Sequence, residues 1–161
     1  MAQRIQKITP FLWFDQQAEE AARFYTSLFP DSCVKSITYY GDAGPGPQGS
    51  VMTVAFELAG QEFVALNGGP QFKFTEAISF VVNCEDQAEV DRLWEKLTDG
   101  GQEIECGWLK DKYGLCWQIV PTRFFELIQD KDSEKSQRVL QALFQMKRPD
   151  IAALERAYRG E

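Results

Sequence analysis

The 161-residue chain carries 24 acidic against 17 basic residues, a net charge of −7, with no histidine; 44% of it is hydrophobic and 13% aromatic. That composition builds one ordinary folded core and excludes a disordered chain, and its acidity argues against phosphate backbones and anionic lipid as partners. The absence of histidine removes Ser-His, Cys-His and His-metal chemistry, leaving a small-molecule ligand or a protein as the expected partner, with no nucleic acid and no membrane.

The N-terminal segment lacks the apolar core of a signal peptide, so the expected localisation is cytoplasmic. Cys33, Cys84, Cys106 and Cys116 contain no CxxC pair and are read as reduced thiols rather than bridges or zinc ligands. Residues 5–15 read as a strand, with Asp15 as N-cap of a helix over 16–29 on which Ala18, Ala21, Ala22, Tyr25 and Leu28 recur at helical spacing. Strands over 33–40, 51–58 and 62–66 follow, the last two joined by the turn Ala59-Gly60. Between the first two lies GDAGPGPQG, which has prolines and no following helix and therefore reads as a flexible loop at a cavity mouth rather than a phosphate cradle.

The order then recurs: a strand over 77–82, a helix over 87–97 stopped by Gly100-Gly101, and strands over 103–108 and 115–120 around a short strand or turn at 109–114. Two βαβββ patterns in succession indicate an internal duplication, echoed by Gln17-Ala18-Glu19 and Gln87-Ala88-Glu89 at the two helix starts. Beyond Pro121 the pattern is helical, with Pro149 in the first turn of the last helix, and this tail is expected to pack on a sheet or across a dimer contact. The organisation is thus 1–70 first module, 71–121 second module and 122–161 C-terminal helical tail, in an α+β fold.

Paired βαβββ modules with Phe24-Tyr25 in the first helix, Lys112-Tyr113-Gly114 and Trp117-Gln118-Ile119-Val120 resemble the vicinal oxygen chelate superfamily of glyoxalases, bleomycin-resistance proteins and extradiol (dihydroxybiphenyl) dioxygenases. LNGGP at 66–70, QAEVD at 87–91 and GWLKDKYG at 107–114 are similar to its PhnB-like branch, often labelled 3-demethylubiquinone-9 3-methyltransferase. The resemblance implies curved sheets enclosing a cavity and a homodimer. In metal-using members it also implies ligands at positions that here fall near Thr9, Ala77 and Gln118. Thr, Ala and a neutral amide supply little affinity for a divalent ion, so no metal and no cofactor are expected.

The expected ligand-binding residues are Trp13, Gln118, Trp108, Asn67 and Cys116, with no catalytic residue assigned. Trp13 shares a strand face with Thr9 and Phe11, and Cys116 shares one with Gln118, while Trp117 points to a helix. Asn67 beside Gly68-Gly69 suits a turn as well as a ligand. Lys110, Asp111 and Lys112 read as a solvated charged turn, and Cys116 is the one conceivable nucleophile, with only Lys110 or Lys112 nearby in sequence to favour its thiolate. The leading expectation is a protein that binds a small molecule in a metal-independent cavity. The alternatives are an enzyme, either a lyase or isomerase with an atypical metal site or a methyltransferase, and a purely structural partner.

Overall fold

Pro10 limits the first strand. It has no amide hydrogen to give a ladder, its carbonyl accepts from the Val64 amide at 3.0 Å, and β1 runs only over Phe11–Phe14 instead of from residue 5. Ile5 and Ile8, counted in that strand from their apolar character, are 88% and 81% exposed. The structure is a computed structural model that describes residues 5–161, and the chain divides between Lys73 and Phe74 into two compact units.

In the first unit β1 is followed by α1 (Ala18–Leu28), β2 (Cys33–Tyr39), β3 (Val51–Leu58) and β4 (Gln61–Asn67). The sheet order is β1-β4-β3-β2, with β1 parallel to β4 and the other pairs antiparallel. Alternation sorts the strands into two faces. Leu12, Phe14, Val54, Phe56, Phe63 and Ala65 are buried on the α1 side, where α1 presents Ala18, Ala21, Ala22, Tyr25 and Leu28. The Tyr25 and Phe56 rings lie 6.4 Å apart and Phe56 stacks on Phe63 at 5.5 Å. Phe11, Trp13, Ala55, Val64 and Leu66 occupy the opposite face, in register across β1, β4 and β3.

The second unit repeats this plan with β5 (Ser79–Cys84), α2 (Gln87–Thr98), β6 (Gln102–Glu103), β7 (Trp108–Lys110) and β8 (Cys116–Pro121). Its sheet order, β5-β8-β7-β6, again sets the module's first strand parallel to its last. The duplication expected from sequence is therefore a duplication of topology. Asp86 caps α2, its carboxylate accepting from the Glu89 amide, and the Glu89 carboxylate reaches back to accept from the amide of Glu85 just before the cap, both at 2.8 Å. The strand expected over 103–108 is interrupted, because Cys106 (φ 60°) and Gly107 (φ 83°) turn the chain and Trp108 closes the turn by donating to the Glu105 carbonyl.

The tail forms α3 (Thr122–Ile128), α4 (Ser133–Phe144) and α5 (Ile151–Arg159). Phe124, Leu127, Val139, Leu143 and Leu154 bury together against Val120 of β8, each such side chain contributing roughly 1.5–3 kcal/mol. Backbone bonds join the tail to the turn before β7, Cys106 N–H to the Met146 carbonyl and Gly107 N–H to the Lys147 carbonyl, both 2.8 Å. Gln87 clamps it a second time, donating to the Pro149 carbonyl at 3.0 Å and accepting from the Ile151 amide at 2.9 Å. The tail therefore packs on the sheet of its own unit. Pro149 stands just before the cap residue Asp150 rather than inside the helix.

Candidate functional site

On β8 the odd-numbered Trp117 and Ile119 turn toward α2, and the even-numbered Cys116, Gln118 and Val120 turn to the other face. Trp117 is buried as expected, 5.7 Å from the Phe80 ring. The register sets Gln118 between Trp108 of β7 and Val81 of β5, and sets Cys116 between Lys110 and Ser79. Three of the five expected ligand-binding residues, Trp108, Cys116 and Gln118, thus share one face of the second sheet. The tail covers its Val120 end. Ser79, Trp108 and Gln118 remain half-buried, and Val81 is exposed.

Hydrogen bonding gives this face a defined polarity. The Gln118 amide nitrogen donates to the Ser79 hydroxyl oxygen at 2.9 Å. The Gln118 Oε1 accepts no hydrogen bond among the described residues, and the Ser79 hydroxyl keeps its own hydrogen to give. Lys110 is ion-paired with Glu76, so its charge is compensated. The Cys116 thiol is fully buried, and desolvation with the Glu76 charge pushes its pKa up against the opposing pull of Lys110. Cys116 is therefore held as a neutral thiol, a wall rather than a nucleophile.

Asp111 departs from its reading as part of a solvated turn. It is 3% exposed; one carboxylate oxygen accepts from the Tyr113 and Leu115 amides at 2.8 and 3.1 Å and the other from the Trp117 indole at 2.9 Å. The backbone closes the same turn, with the Gly114 amide donating to the Asp111 carbonyl and the Asp111 amide donating to the Leu115 carbonyl. Asp111 therefore fixes the entry of β8, and with it the positions of Cys116 and Gln118. The sequence signal is an aspartate opening a turn that a glycine three residues later completes, with a tryptophan beyond it.

In the first unit Trp13 lies on the sheet face away from α1. Its indole nitrogen donates to the Gly69 carbonyl at 2.9 Å, its ring meets Phe72 edge-on at 4.9 Å, and any side chain on Gly68 would overlap it. Asn67, at the end of β4, points to the other side. Its Oδ1 accepts from the Ala18 amide at 2.8 Å and its Nδ2 donates to the Val51 carbonyl at 3.1 Å. The expected cap Asp15 is not the cap of α1: the N-cap position is Gln17, which makes no capping bond, and Asn67 supplies the acceptor from across the sheet.

Asn67 also belongs to the wall of a cavity of about 530 Å³, formed by Asp15, Gln16 and Glu19 at the start of α1, by residues 67–71, and by Tyr40, Pro45, Gly46, Pro47, Ser50 and Val51. The Tyr40 hydroxyl donates to the Asn67 carbonyl at 2.5 Å, and its ring lies so close under the loop that a Cβ on Gly44 or Gly46 would overlap it. The glycines at 44 and 46 thus serve the close approach of Tyr40, and the segment between β2 and β3 lines this cavity on the α1 side of the sheet.

The positions where metal-using members of the resembling superfamily carry ligands do not fit a divalent ion. They offer the hydroxyl of Thr9, the methyl of Ala77 and the neutral amide oxygen of Gln118, a set with no imidazole or carboxylate. Among the described residues no three Cys, Asp or Glu side chains are grouped to hold a metal, and none of the described helices is long and apolar enough to cross a membrane.

The family described as 3-demethylubiquinone-9 3-methyltransferase matches residues 6–120. Among solved structures, a Bacillus cereus protein titled as a putative 3-demethylubiquinone-9 3-methyltransferase, PhnB protein, is 42% identical over 73% of this chain and 100% of its own, with a TM-score of 0.67. The fold alone is shared with protein PA1353 from Pseudomonas aeruginosa, 20% identical over 73% of this chain and 98% of that one with TM-score 0.60. It is likewise shared with the fosfomycin resistance protein FosX from Mesorhizobium loti, 13% identical over 73% and 92% with TM-score 0.51. No curated protein matches. The tail from residue 122 lies beyond the family match.

Proposed function

The chain belongs to the family described as 3-demethylubiquinone-9 3-methyltransferase, within the glyoxalase and bleomycin-resistance superfamily, and from that premise we propose that it binds a neutral, flat small molecule without a metal. The observation that carries this reading is the register pair Trp108 and Gln118. Gln118 Oε1 is an acceptor without a donor among the described residues, the Ser79 hydroxyl beside it is a donor, and Trp108 supplies an aromatic surface. A ligand edge that presents an N–H next to a C=O, as amides and lactams do, matches both groups at once. The compensated Lys110 and the neutral Cys116 favour an uncharged ligand. A homodimer in the cytoplasm is part of the same proposal, and light scattering of the purified chain tests the assembly.

The family description names methyl transfer. The glycine-rich segment here is accounted for by Tyr40 and lies between two strands instead of opening a helix, so we derive no step through a nucleotide-derived donor. Titration with 2-quinolone, a neutral lactam with an aromatic body, tests the binding reading. Saturable binding in the presence of EDTA is expected, weakened about tenfold by Trp108→Ala and by Gln118→Leu. Binding that requires an added divalent ion, or that neither substitution weakens, overturns it.

A further inference from the structure

We propose that the cavity of the first unit is a separate site for a small organic cation, a primary ammonium group on a short apolar body. Its volume of about 530 Å³ lies within the range of small-molecule sites. The walls are held in place before any ligand arrives, because each is tied to Asn67 or its neighbours. The Asn67 side chain joins α1 to β3, its carbonyl holds the Tyr40 hydroxyl, and the Gly68 and Gly69 amides donate to the Phe14 and Asp15 carbonyls at 2.9 and 3.3 Å. Such walls cost little ordering on binding.

The lining decides the ligand class. Tyr40, Pro45, Pro47 and Val51 give an apolar surface, and the charged residues are Asp15 and Glu19, with no Lys or Arg among the lining residues. Arg23 engages only Oε1 of Glu19, at 2.8 and 3.2 Å, and the Asp15 carboxylate has no partner among the described residues. An anion entering this space meets two carboxylates, whereas an ammonium group gains charge-assisted hydrogen bonds while its carbon chain lies on the prolines. This site shares no residue with the Trp108 and Gln118 face, so the two readings stand or fall separately.

Amide shifts of the ¹⁵N-labelled protein, titrated with phenethylammonium and in parallel with its neutral counterpart 2-phenylethanol, test the assignment. The expected result is saturable movement of the Gly46, Gly68 and Gly69 amides with the amine, with affinity about tenfold lower for the alcohol and for Asp15→Asn and lower again for the Asp15→Asn, Glu19→Gln pair. Asp15→Asn leaves the Glu19–Arg23 pair intact, and circular dichroism of each variant confirms the fold. Trp108→Ala leaves this titration unchanged. Equal affinity for amine and alcohol, equal affinity in the Asp15→Asn protein, or shifts that avoid these three glycines overturn the proposal.

Discussion

Replacing Asp111 by alanine removes the acceptor of three donors at once: the Tyr113 and Leu115 amides and the Trp117 indole N–H. Leu115 and Trp117 are buried, each 2% exposed, so water does not replace the lost partner at those two donors. Each buried unsatisfied donor costs roughly 1–3 kcal/mol, and counting only these two gives a loss of about 2–6 kcal/mol. At about 2–4 °C per kcal/mol for a chain of this size, the unfolding midpoint falls by roughly 4–24 °C. Asp111→Asn keeps one oxygen but turns an NH₂ toward either the indole or the two amides, a donor facing a donor, and is expected to lose about 1–3 kcal/mol. Urea unfolding followed by tryptophan fluorescence measures both, with Lys112→Ala, at the exposed neighbour, expected within about 0.5 kcal/mol of the parent. Asp111→Ala as stable as Lys112→Ala would refute the reading of this carboxylate as the clamp on β8.

Gly46→Ala drives a methyl group into the Tyr40 ring, with an expected cost of about 1–3 kcal/mol. The same substitution in a Tyr40→Ala background should cost much less, and a double-mutant cycle by thermal unfolding reads the coupling. Thiol chemistry should separate the cysteines by burial. Exposed Cys33 reacts quickly with a disulfide reagent at pH 8, whereas desolvation raises the Cys116 pKa and pushes Cys84 up to about 12, which suppresses their thiolates at that pH. Fast labelling that persists undiminished in Cys33→Ser would contradict this.

The residues that sequence reads well are those whose signal is local. Val54, Phe56 and Leu58 alternate with Thr53, Ala55 and Glu57, and β3 spans the expected 51–58; Val90, Leu93, Trp94 and Leu97 fix α2 in the same way. The shared face of Cys116 and Gln118 also follows from the pleat, once the strand is placed. What stayed hidden depends on partners distant in the chain. Asp15 resembles a cap because nothing local reveals that Asn67, 49 residues beyond Ala18, supplies the acceptor for the start of α1. Asp111 between two lysines resembles a solvated turn because its burial is decided by the Trp117 indole and a backbone loop folding around it. The break at Cys106 and Gly107 is stabilised by carbonyls of the tail, Met146 and Lys147, which no pattern within the strand discloses.

The most direct measurement of metal-independent binding is elemental analysis of tag-free protein, since a histidine tag would introduce the imidazoles that the 161 residues lack. Nickel, zinc, iron and manganese all far below one equivalent per chain, in protein that still binds the lactam probe, are expected from the donor set at Thr9, Ala77 and Gln118. One equivalent of a transition ion, lost together with binding on treatment with EDTA, would contradict it.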